Sequence, residues 1–366
     1  MLFRSYYPAG EVFGHVMGFT DVDDMGQEGL ELAFDQALRG ETGAKLVLRD
    51  GRRQVVDDVE NIRSPRAGNH LALSIDQRLQ FTAYRELKAA VRRHQAISGS
   101  LVLLDVQTGE VLAMVNQPSF NPNGDRSNRA GRLRNRALTD LFEPGSTLKP
   151  FTVAAALDKG SIKPDSLIDT SPGYFRIGRA QVKDSHNLGV IDIATVLSKS
   201  SNVGAGKIAL ALEKRDLWQV MDRLGFGRAA GTGFPGEAAG QLNDFRRWAQ
   251  IDQATLSFGY GISVSTLQLA QAYAALANDG VMVPATLLKR DVPPEGQRVF
   301  SVPTAVAVRK MLESVATADG TAPEAAVLGY RVAGKTGTVK KFGPQGYSDD
   351  RYLALFAGME IGRAHV

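Results

Sequence analysis

Apolar and polar positions in the first 70 residues, which are rich in glycine, aspartate and valine, predict one β-hairpin. Strand-like stretches at residues 45–48 and 53–56 flank Asp50-Gly51, a dipeptide typical of a tight hairpin turn. The acidic run at residues 21–24 lacks the glycine and terminal glutamate spacing of a calcium loop, so we interpret it as a solvated turn. We expect residues 1–70 to form an incomplete accessory segment.

From residue 71 the pattern becomes more regular. Residues 71–75 predict a short strand, and Asp76 is placed to cap a helix whose apolar stripe comprises Leu79, Ala83, Leu87, Ala90 and Val91. Strand patterns at 100–106 and 110–115 are joined by a turn at 107–109. A hairpin that follows a helix indicates an antiparallel sheet with helical cover.

Helical periodicity dominates residues 146–280, and strand patterns return near the end of the chain. The predicted helices span residues 191–198, 203–212, 216–224 and 266–277, and the predicted late strands span 331–340 and 352–358. This order predicts an α+β fold, with a split antiparallel sheet interrupted by an all-helical insertion.

Composition narrows the functional classes. The chain has 366 residues, of which 43% are hydrophobic and 22% charged, with a net charge of +4. These are ordinary globular values, and the basic residues are too dispersed to indicate a nucleic-acid partner. The arginines at residues 126–136 have no aromatic residues between them, so we expect a loop leading into the helix predicted to begin near residue 146.

Several site types are excluded by residue counts. Without cysteines the chain has no disulfides, thiolate metal sites or cysteine nucleophiles. The five histidines show no ligand spacing, no apolar run approaches eighteen residues, and the first five residues do not form a signal peptide. Residues 361–366 match the translation of a common sequencing adapter, so we expect the native sequence to end at about Glu360.

The first candidate for chemistry is the stretch at residues 143–151. Ser146 and Lys149 have an S-x-x-K spacing at a predicted helix start, where Pro150 is tolerated and Gly160 can end the helix. Positions i and i+3 share a face, so Lys149 is expected to point toward the Ser146 hydroxyl. A lysine with a lowered pKa can then activate the serine, although the same spacing also fits a capping serine beside a solvated lysine.

Two further stretches are candidate companions. Lys335-Thr336-Gly337-Thr338 lies in a predicted strand, and Gly337 there allows another chain to approach closely. Three S-x-N matches occur, at Ser119, Ser185 and Ser200. We select Ser200 and Asn202, because they fall in a turn between predicted helices, and interpret the other two as caps.

Residues 329–336 also match the phosphate-binding pattern G-x-x-x-x-G-K-T. A phosphate-binding loop must open a helix, whereas the residues after Thr336 have a strand pattern. We therefore set nucleotide binding aside.

The order S-x-x-K, S-x-N, K-T-G resembles the signature of penicillin-binding proteins and serine β-lactamases. Further matches at residues 7–11, 18–23, 134–137, 233–237 and 259–261 extend the resemblance over residues 6–360. It is nearest to the division-specific class B penicillin-binding proteins of Gram-negative bacteria. The resemblance implies a partial pedestal domain at 1–70 and a transpeptidase domain at 71–360 whose C-terminal end and N-terminal membrane anchor lie outside the chain.

The resemblance also implies an activity, septal peptidoglycan D,D-transpeptidation. Ser146 would be the nucleophile and Lys149 its base, Ser200 and Lys335 would pass a proton to the leaving D-alanine, and Asn202 would bind the donor peptide. The remaining implied site residues are Thr336, Gly337 and Thr338 at the substrate carboxylate, with the Ser146 and Thr338 N–H groups as oxyanion hole, and Phe258 and Tyr260 along the cleft.

Substrates, partners and alternatives follow from the same resemblance. Stem peptides ending in D-Ala–D-Ala and β-lactams would bind, no cofactor or metal would be needed, and septal glycosyltransferase and divisome proteins would be partners at the periplasmic face of the inner membrane. A D,D-carboxypeptidase shares every motif. A β-lactamase is disfavoured by the pedestal segment and because no base for deacylation can be assigned, and an elongation-specific relative is disfavoured by the stretch at residues 21–24. A β-lactam sensor and an inactive scaffold remain open.

Overall fold

The computed structural model describes residues 5–124, 131–343 and 346–363. The N-terminal segment consists of α1 (Gly14–Met17), α2 (Gly29–Ala33), α3 (Asp35–Leu38), β1 (Phe19–Thr20), β2 (Gly26–Glu28), β3 (Ala44–Arg49) and β4 (Val55–Arg63). The predicted hairpin is confirmed as β3–β4, and Asp50 closes its turn by accepting the N–H groups of Arg52 and Gln54. The acidic run also forms a turn, in which Asp21 accepts the N–H of Asp23 and of Met25.

Helix α4 (Gln77–Arg93) begins where the sequence predicts it, because Asp76 accepts the N–H groups of Arg78 and Leu79. Its predicted stripe is partly wrong. Leu79 is 40% exposed, whereas Gln80 is fully buried. The Gln80 amide bonds main-chain groups of two other segments, so a polar residue occupies the inner face.

The strand predicted at residues 71–75 is wrong. Only Leu73 forms a bridge, to Leu288. Ser74 donates its N–H to Leu287 O and its hydroxyl to Val111 O, so this extended segment cross-links two other parts of the chain rather than pairing along its length. The predicted hairpin after α4 is confirmed as β5 (Gly99–Leu104) and β6 (Val111–Gln117).

The helical block is larger than predicted. It contains α5 (Arg136–Thr139), α6 (Lys149–Asp158), α7 (Ile193–Ser198), α8 (Asn202–Leu210), α9 (Lys214–Arg223), α10 (Gln250–Leu256), α11 (Thr266–Ala277) and α12 (Val302–Glu313). Helix α11 has the predicted bounds, and α12 was not predicted. Short 3₁₀ turns occur at Gly10–Val12, Gly145–Leu148, Phe245–Arg247, Ser314–Ala316 and Pro323–Ala325.

The insertion is not made of helices alone, which corrects the prediction. Small antiparallel pairs lie between the helices: β7 (Leu167–Asp169) with β10 (Val190–Asp192), β8 (Tyr174–Ile177) with β9 (Ala180–Lys183), β11 (Gln241–Leu242) with β12 (Ile262–Ser263), and β13 (Val281–Met282) with β14 (Gln297–Arg298). Strands of two to four residues are too short to show a readable alternation.

The last hairpin is formed by β15 (Tyr330–Gly343) and β16 (Gly346–Arg363). Residues 361–363 continue β16, while 364–366 lie outside the described residues, as do the first four residues. Helix α11 packs on both β5 and β16 and so connects the two large hairpins. The α+β organisation, with hairpins on either side of a helical block, is confirmed.

The main core surrounds α6, whose residues 149–156 are all buried. Apolar side chains of α7, α8, α9, α11 and α12 cover it, together with Ala333 of β15 and Met359 of β16. Over the described ranges, none of the helices is long and apolar enough to cross a membrane. The core therefore places the first residue of α6, Lys149, in the interior.

Candidate active site

Ser146 lies in a 3₁₀ turn (Gly145–Leu148) that runs directly into α6. The α-helix begins at Lys149, with Pro150 in its first turn, and Gly160 follows its end at a positive φ of +70°, as the sequence predicts. The turn is held by two buried hydrogen bonds, from Thr147 Oγ1 to Pro144 O (2.6 Å) and from Tyr273 Oη to Thr147 O (2.7 Å).

The described hydrogen bonds of Lys149 are to Ser200, a partner that the S-x-x-K spacing does not predict. Its amine donates to Ser200 O at 2.5 Å and lies 3.1 Å from Ser200 Oγ, and no described contact is a hydrogen bond between Lys149 Nζ and Ser146. The i, i+3 rule places the two side chains on one face, but the partner of the amine is set by tertiary packing.

Burial lowers the pKa of Lys149 well below its usual value, and the charge of Lys335 lowers it further. The charge of Asp184 acts in the opposite direction. Lys149 is fully inaccessible to solvent. A lysine in this environment is readily deprotonated and can accept a proton from a nearby hydroxyl.

Ser200 connects the two candidate lysines. It lies in the predicted turn, between α7 and α8, with a φ of +58° that is uncommon for a residue with a side chain. Lys335 Nζ lies 3.0 Å from Ser200 Oγ and donates to Thr336 O at 3.1 Å. Burial lowers the pKa of Lys335 to about 8. One hydroxyl oxygen therefore contacts two buried amines, which is the arrangement of a proton relay.

Asn202 begins α8 and donates its side-chain amide to Lys183 O at 3.2 Å. The other two S-x-N serines lie elsewhere. Ser119 donates to Glu11, and Ser185 follows Asp184 on an exposed loop. Neither caps a helix, so our interpretation of them as caps is wrong, but their exclusion from the site holds.

Strand β15 carries the K-T-G-T stretch. Lys335 is buried, Thr338 is exposed, and Thr336 Oγ1 donates to Thr321 Oγ1 at 2.9 Å. The stretch of residues 329–336 enters a strand and opens no helix, so the phosphate-loop interpretation fails. Within the part of the chain that is described, β15 pairs with β16 alone, which leaves its other edge without a partner strand.

The absence of a side chain at Gly337 lets β15 lie close to the serine turn. A Cβ on Gly337 would lie 3.0 Å from Thr147 Cγ2 and 3.2 Å from Pro144 O. Within the chain, the serine turn is one segment that approaches Gly337 closely. This contact brings β15 alongside Ser146.

An aromatic row lies beside the serine turn. Phe258 packs in a small core cluster, its ring is 5.8 Å from that of Tyr260, and the Tyr260 ring is 5.5 Å from that of Tyr347. Glu143 accepts the Tyr347 hydroxyl at 3.0 Å and the Gly261 N–H at 2.9 Å. Sequence reasoning missed Tyr347, because no spacing rule relates it to Glu143.

The basic run is partly described. Arg126 and Arg129 lie outside the described residues. Residues 131–135 form a turn, but it leads into the short helix α5 and not directly into the serine helix as predicted. Arg134 and Arg136 form ion pairs with Asp140. These two side chains are therefore engaged within the protein.

Two family models match the sequence. The Penicillin binding protein transpeptidase domain matches residues 99–362, and the Penicillin-binding Protein dimerisation domain matches residues 4–73. The chain belongs to the penicillin-binding protein transpeptidase family. This confirms the resemblance drawn from the three motifs.

Named members of the family are similar over nearly the whole chain. The probable peptidoglycan D,D-transpeptidase PenA of Neisseria meningitidis is 44% identical over 97% of this chain and 61% of its own length. The peptidoglycan D,D-transpeptidase FtsI of Escherichia coli is 45% identical over 97% of this chain and 60% of its own length. The chain thus spans about three fifths of these penicillin-binding relatives.

A solved structure has the same fold. Penicillin-binding protein 3 of Mycobacterium tuberculosis, complexed with aztreonam, superposes with a TM-score of 0.87 at 33% identity. The match covers 98% of this chain and 82% of that one. The penicillin-binding fold therefore extends across the N-terminal segment and the helical block.

Proposed function

We propose that this chain carries the acyl-transfer site of a septal peptidoglycan D,D-transpeptidase, which acts on D-Ala–D-Ala stem peptides and binds β-lactams covalently. The observation that carries the proposal is the contact of Ser200 Oγ with both buried lysines, Lys149 and Lys335, beside the Ser146 turn. The names of the PenA and FtsI relatives support it. Residues 71–360 would be the catalytic domain and residues 1–70 its accessory segment.

In the acylation step, Ser146 Oγ attacks the carbonyl carbon of the penultimate D-alanine while Lys149 takes the hydroxyl proton. The peptide bond to the last D-alanine then breaks. Ser200, in contact with Lys149 and Lys335, passes a proton to the leaving amine. An acyl-enzyme on Ser146 results.

Substrate binding involves the free edge of β15. A peptide strand paired there at Gly337 would place its terminal carboxylate near the hydroxyls of Thr336 and Thr338 and the charge of Lys335. Asn202 would hold a donor-peptide amide, Phe258 and Tyr260 would border the cleft, and the N–H groups of Ser146 and Thr338 would stabilise the oxyanion. The amine of a second stem peptide then takes the acyl group and releases Ser146.

The cellular setting is proposed from the family alone. We place the reaction at the periplasmic face of the inner membrane, with a septal glycosyltransferase and other divisome proteins as partners. Co-purification of the protein from its native cells with septal partners tests this assignment, and recovery only with elongation proteins contradicts it.

Covalent labelling with a fluorescent penicillin tests the catalytic assignment. We expect the wild-type chain and Ser161→Ala, which changes an exposed serine beyond the end of α6, to be labelled equally. Ser146→Ala should lose about 1,000-fold or more in labelling rate, because no other hydroxyl occupies the nucleophile position. Equal labelling of Ser146→Ala contradicts the nucleophile assignment, and absence of labelling in all three contradicts the function for this chain.

A second measurement identifies the fate of the acyl group. A stem pentapeptide is supplied with and without an amine acceptor, and the products are identified by mass spectrometry. Transfer to the amine supports a transpeptidase. Hydrolysis alone indicates a carboxypeptidase, and a persistent adduct without product indicates a sensor.

A further inference from the structure

Asp184, the residue after β9, makes three hydrogen bonds to the turn that carries Ser200. Its Oδ2 accepts the Ser201 hydroxyl at 2.5 Å, and its Oδ1 accepts the N–H groups of Asn202 at 2.5 Å and Val203 at 3.0 Å. One carboxylate thus binds the three residues that directly follow Ser200.

The turn needs an external support of this kind. Ser200 has a φ of +58°, a left-handed conformation that costs a residue with a side chain about 1–2 kcal/mol. Its hydroxyl oxygen must nevertheless stay within 3.1 Å of Lys149 Nζ and 3.0 Å of Lys335 Nζ. Ser201 caps α8 through the Gly204 N–H, so Asp184 connects the helix start and the turn to the β8–β9 hairpin.

The charge of Asp184 also matters at this position. Lys335 and Asp184 are the charged groups that act on Lys149, and they act in opposite directions. The carboxylate charge of Asp184 offsets part of the cost of burying the Lys149 amine beside Lys335. Removing the charge should therefore make Lys149 easier to deprotonate.

We propose that Asp184 is a positioning residue for acyl transfer, which fixes the turn at residues 200–202 so that Ser200 Oγ stays between the amines of Lys149 and Lys335. The inference rests on the proposed function. Asp184 touches neither reacting atoms nor the substrate, and acts through Ser201 and the N–H groups of α8.

The test compares two substitutions at Asp184 with a matched one at Asp192. Asp192 caps α7, the helix before the same turn, by accepting the Thr195 N–H at 2.7 Å. Asp184→Ala removes both the hydrogen bonds to the turn and the negative charge. Asp184→Asn keeps an acceptor oxygen but removes the charge. Asp192→Ala removes the cap of the neighbouring helix α7. Acylation rates with a fluorescent penicillin are measured from pH 5 to pH 9.

We expect Asp184→Ala to lower the acylation rate about 10- to 100-fold, because small displacements of reacting groups have effects of this size. Asp184→Asn should recover most of that rate, with the acid limb of its pH profile moved to lower pH, since Lys149 loses the charge that raises its pKa. Asp192→Ala should lower only the melting temperature.

Equal profiles for Asp184→Ala and Asp192→Ala would overturn the proposal. Crystal structures of the wild type and Asp184→Ala provide a readout that does not depend on activity. In the variant, Ser200 Oγ should lose its contact with Lys149 Nζ, with Lys335 Nζ or with both. An unmoved Ser200 overturns the inference. A displaced Ser200 in a chain that penicillin never labels would mean that the proposed function fails while the positioning role holds.

Discussion

At the scale of single residues, Gly259 allows its loop to approach the turn that carries Ser146 closely. Gly259 has a φ of +86°, and a Cβ there would lie 2.2 Å from Gly145 O and 2.5 Å from Gly145 Cα. The backbone of the serine turn occupies that space, and Gly145 N–H donates to Gly259 O at 3.3 Å. No side chain fits without moving the turn.

We therefore predict that Gly259→Ala lowers the free energy of unfolding by about 2–5 kcal/mol, from left-handed strain plus overpacking. Gly261→Ala is the matched control, because Gly261 also has a positive φ of +76° but nothing within 4 Å of its Cβ position. It should cost only about 1–2 kcal/mol. Urea unfolding and penicillin labelling measure both variants, and equal losses would contradict the argument from close contact.

The residues that sequence could identify are those whose relation is local. Ser146 and Lys149 are three positions apart, so their motif is visible in the chain. The partner of Lys149 could not be predicted, because Ser200 is 51 positions away and reaches the amine only after α6 and α8 pack together. Asp184 has no sequence signal at all, since β9 alone brings it to the turn.

At the scale of elements, α4 shows why a polar residue can occupy an inner face. Gln80 Nε2 donates to Val12 O and to Met114 O, both at 2.9 Å, and Gln80 Oε1 accepts the Met114 N–H at 2.8 Å. Apolar periodicity assigns a glutamine to the solvent-facing side of the helix, and it therefore predicts that Leu79, not Gln80, lies on the buried side. The side chain joins α4, β6 and the N-terminal segment at one point.

Gln80→Ala should accordingly lower the free energy of unfolding by about 2–4 kcal/mol, because buried main-chain groups lose their partners. Leu79→Ala on the same turn of α4 should cost less than about 1 kcal/mol, since Leu79 is 40% exposed. Urea denaturation of the two variants decides the matter. A larger loss of unfolding free energy in Leu79→Ala than in Gln80→Ala would contradict this argument and support the apolar stripe predicted from the sequence.

Elements with terminal signals were the ones that sequence could place. Asp76 caps α4, and Ser265 with Gln268 forms a capping box at α11, so both helix starts are marked in the chain. Strands such as β7 and β11 have two or three residues and exist because tertiary contacts align them. Their formation could not be predicted from propensity.

At the scale of the whole molecule, side-chain hydrogen bonds and an ion pair connect the N-terminal segment to α4 and to the residues after β6. Glu11 accepts from Lys88 on α4 and from Ser119 after β6, each at 2.9 Å. Tyr7 and Asn123 exchange two hydrogen bonds, from Tyr7 N–H to Asn123 Oδ1 and from Asn123 Nδ2 to Tyr7 O. Local sequence carries no sign of these pairs, because their partners are more than 70 positions apart.

His15 is a buried histidine at this junction. It is 6% exposed, its Nε2 lies 2.7 Å from Arg132 O, and its ring meets that of Phe120 edge-on at 5.2 Å. Burial lowers the pKa of His15 to about 4, and the charge of Arg136 contributes in the same direction, while the bond to Arg132 O opposes both. The folded protein thus holds His15 neutral at a pH where the unfolded chain protonates it.

The sign of the resulting pH dependence follows from linkage. The unfolded chain binds a proton below about pH 6.5, and the folded protein binds it only near pH 4, so stability is complete above pH 6.5 and falls as the pH drops toward 4. Between pH 7.5 and pH 5.0 this one group should account for a loss of about 2 kcal/mol. His15→Gln keeps a donor for Arg132 O but cannot titrate, so its unfolding free energy should fall by about 2 kcal/mol less than that of the wild type over this interval. His94→Gln, at an exposed position after α4, should retain the wild-type dependence. Urea unfolding at the two pH values measures all three proteins, and a wild-type fall in His15→Gln would show that His15 is not the group responsible.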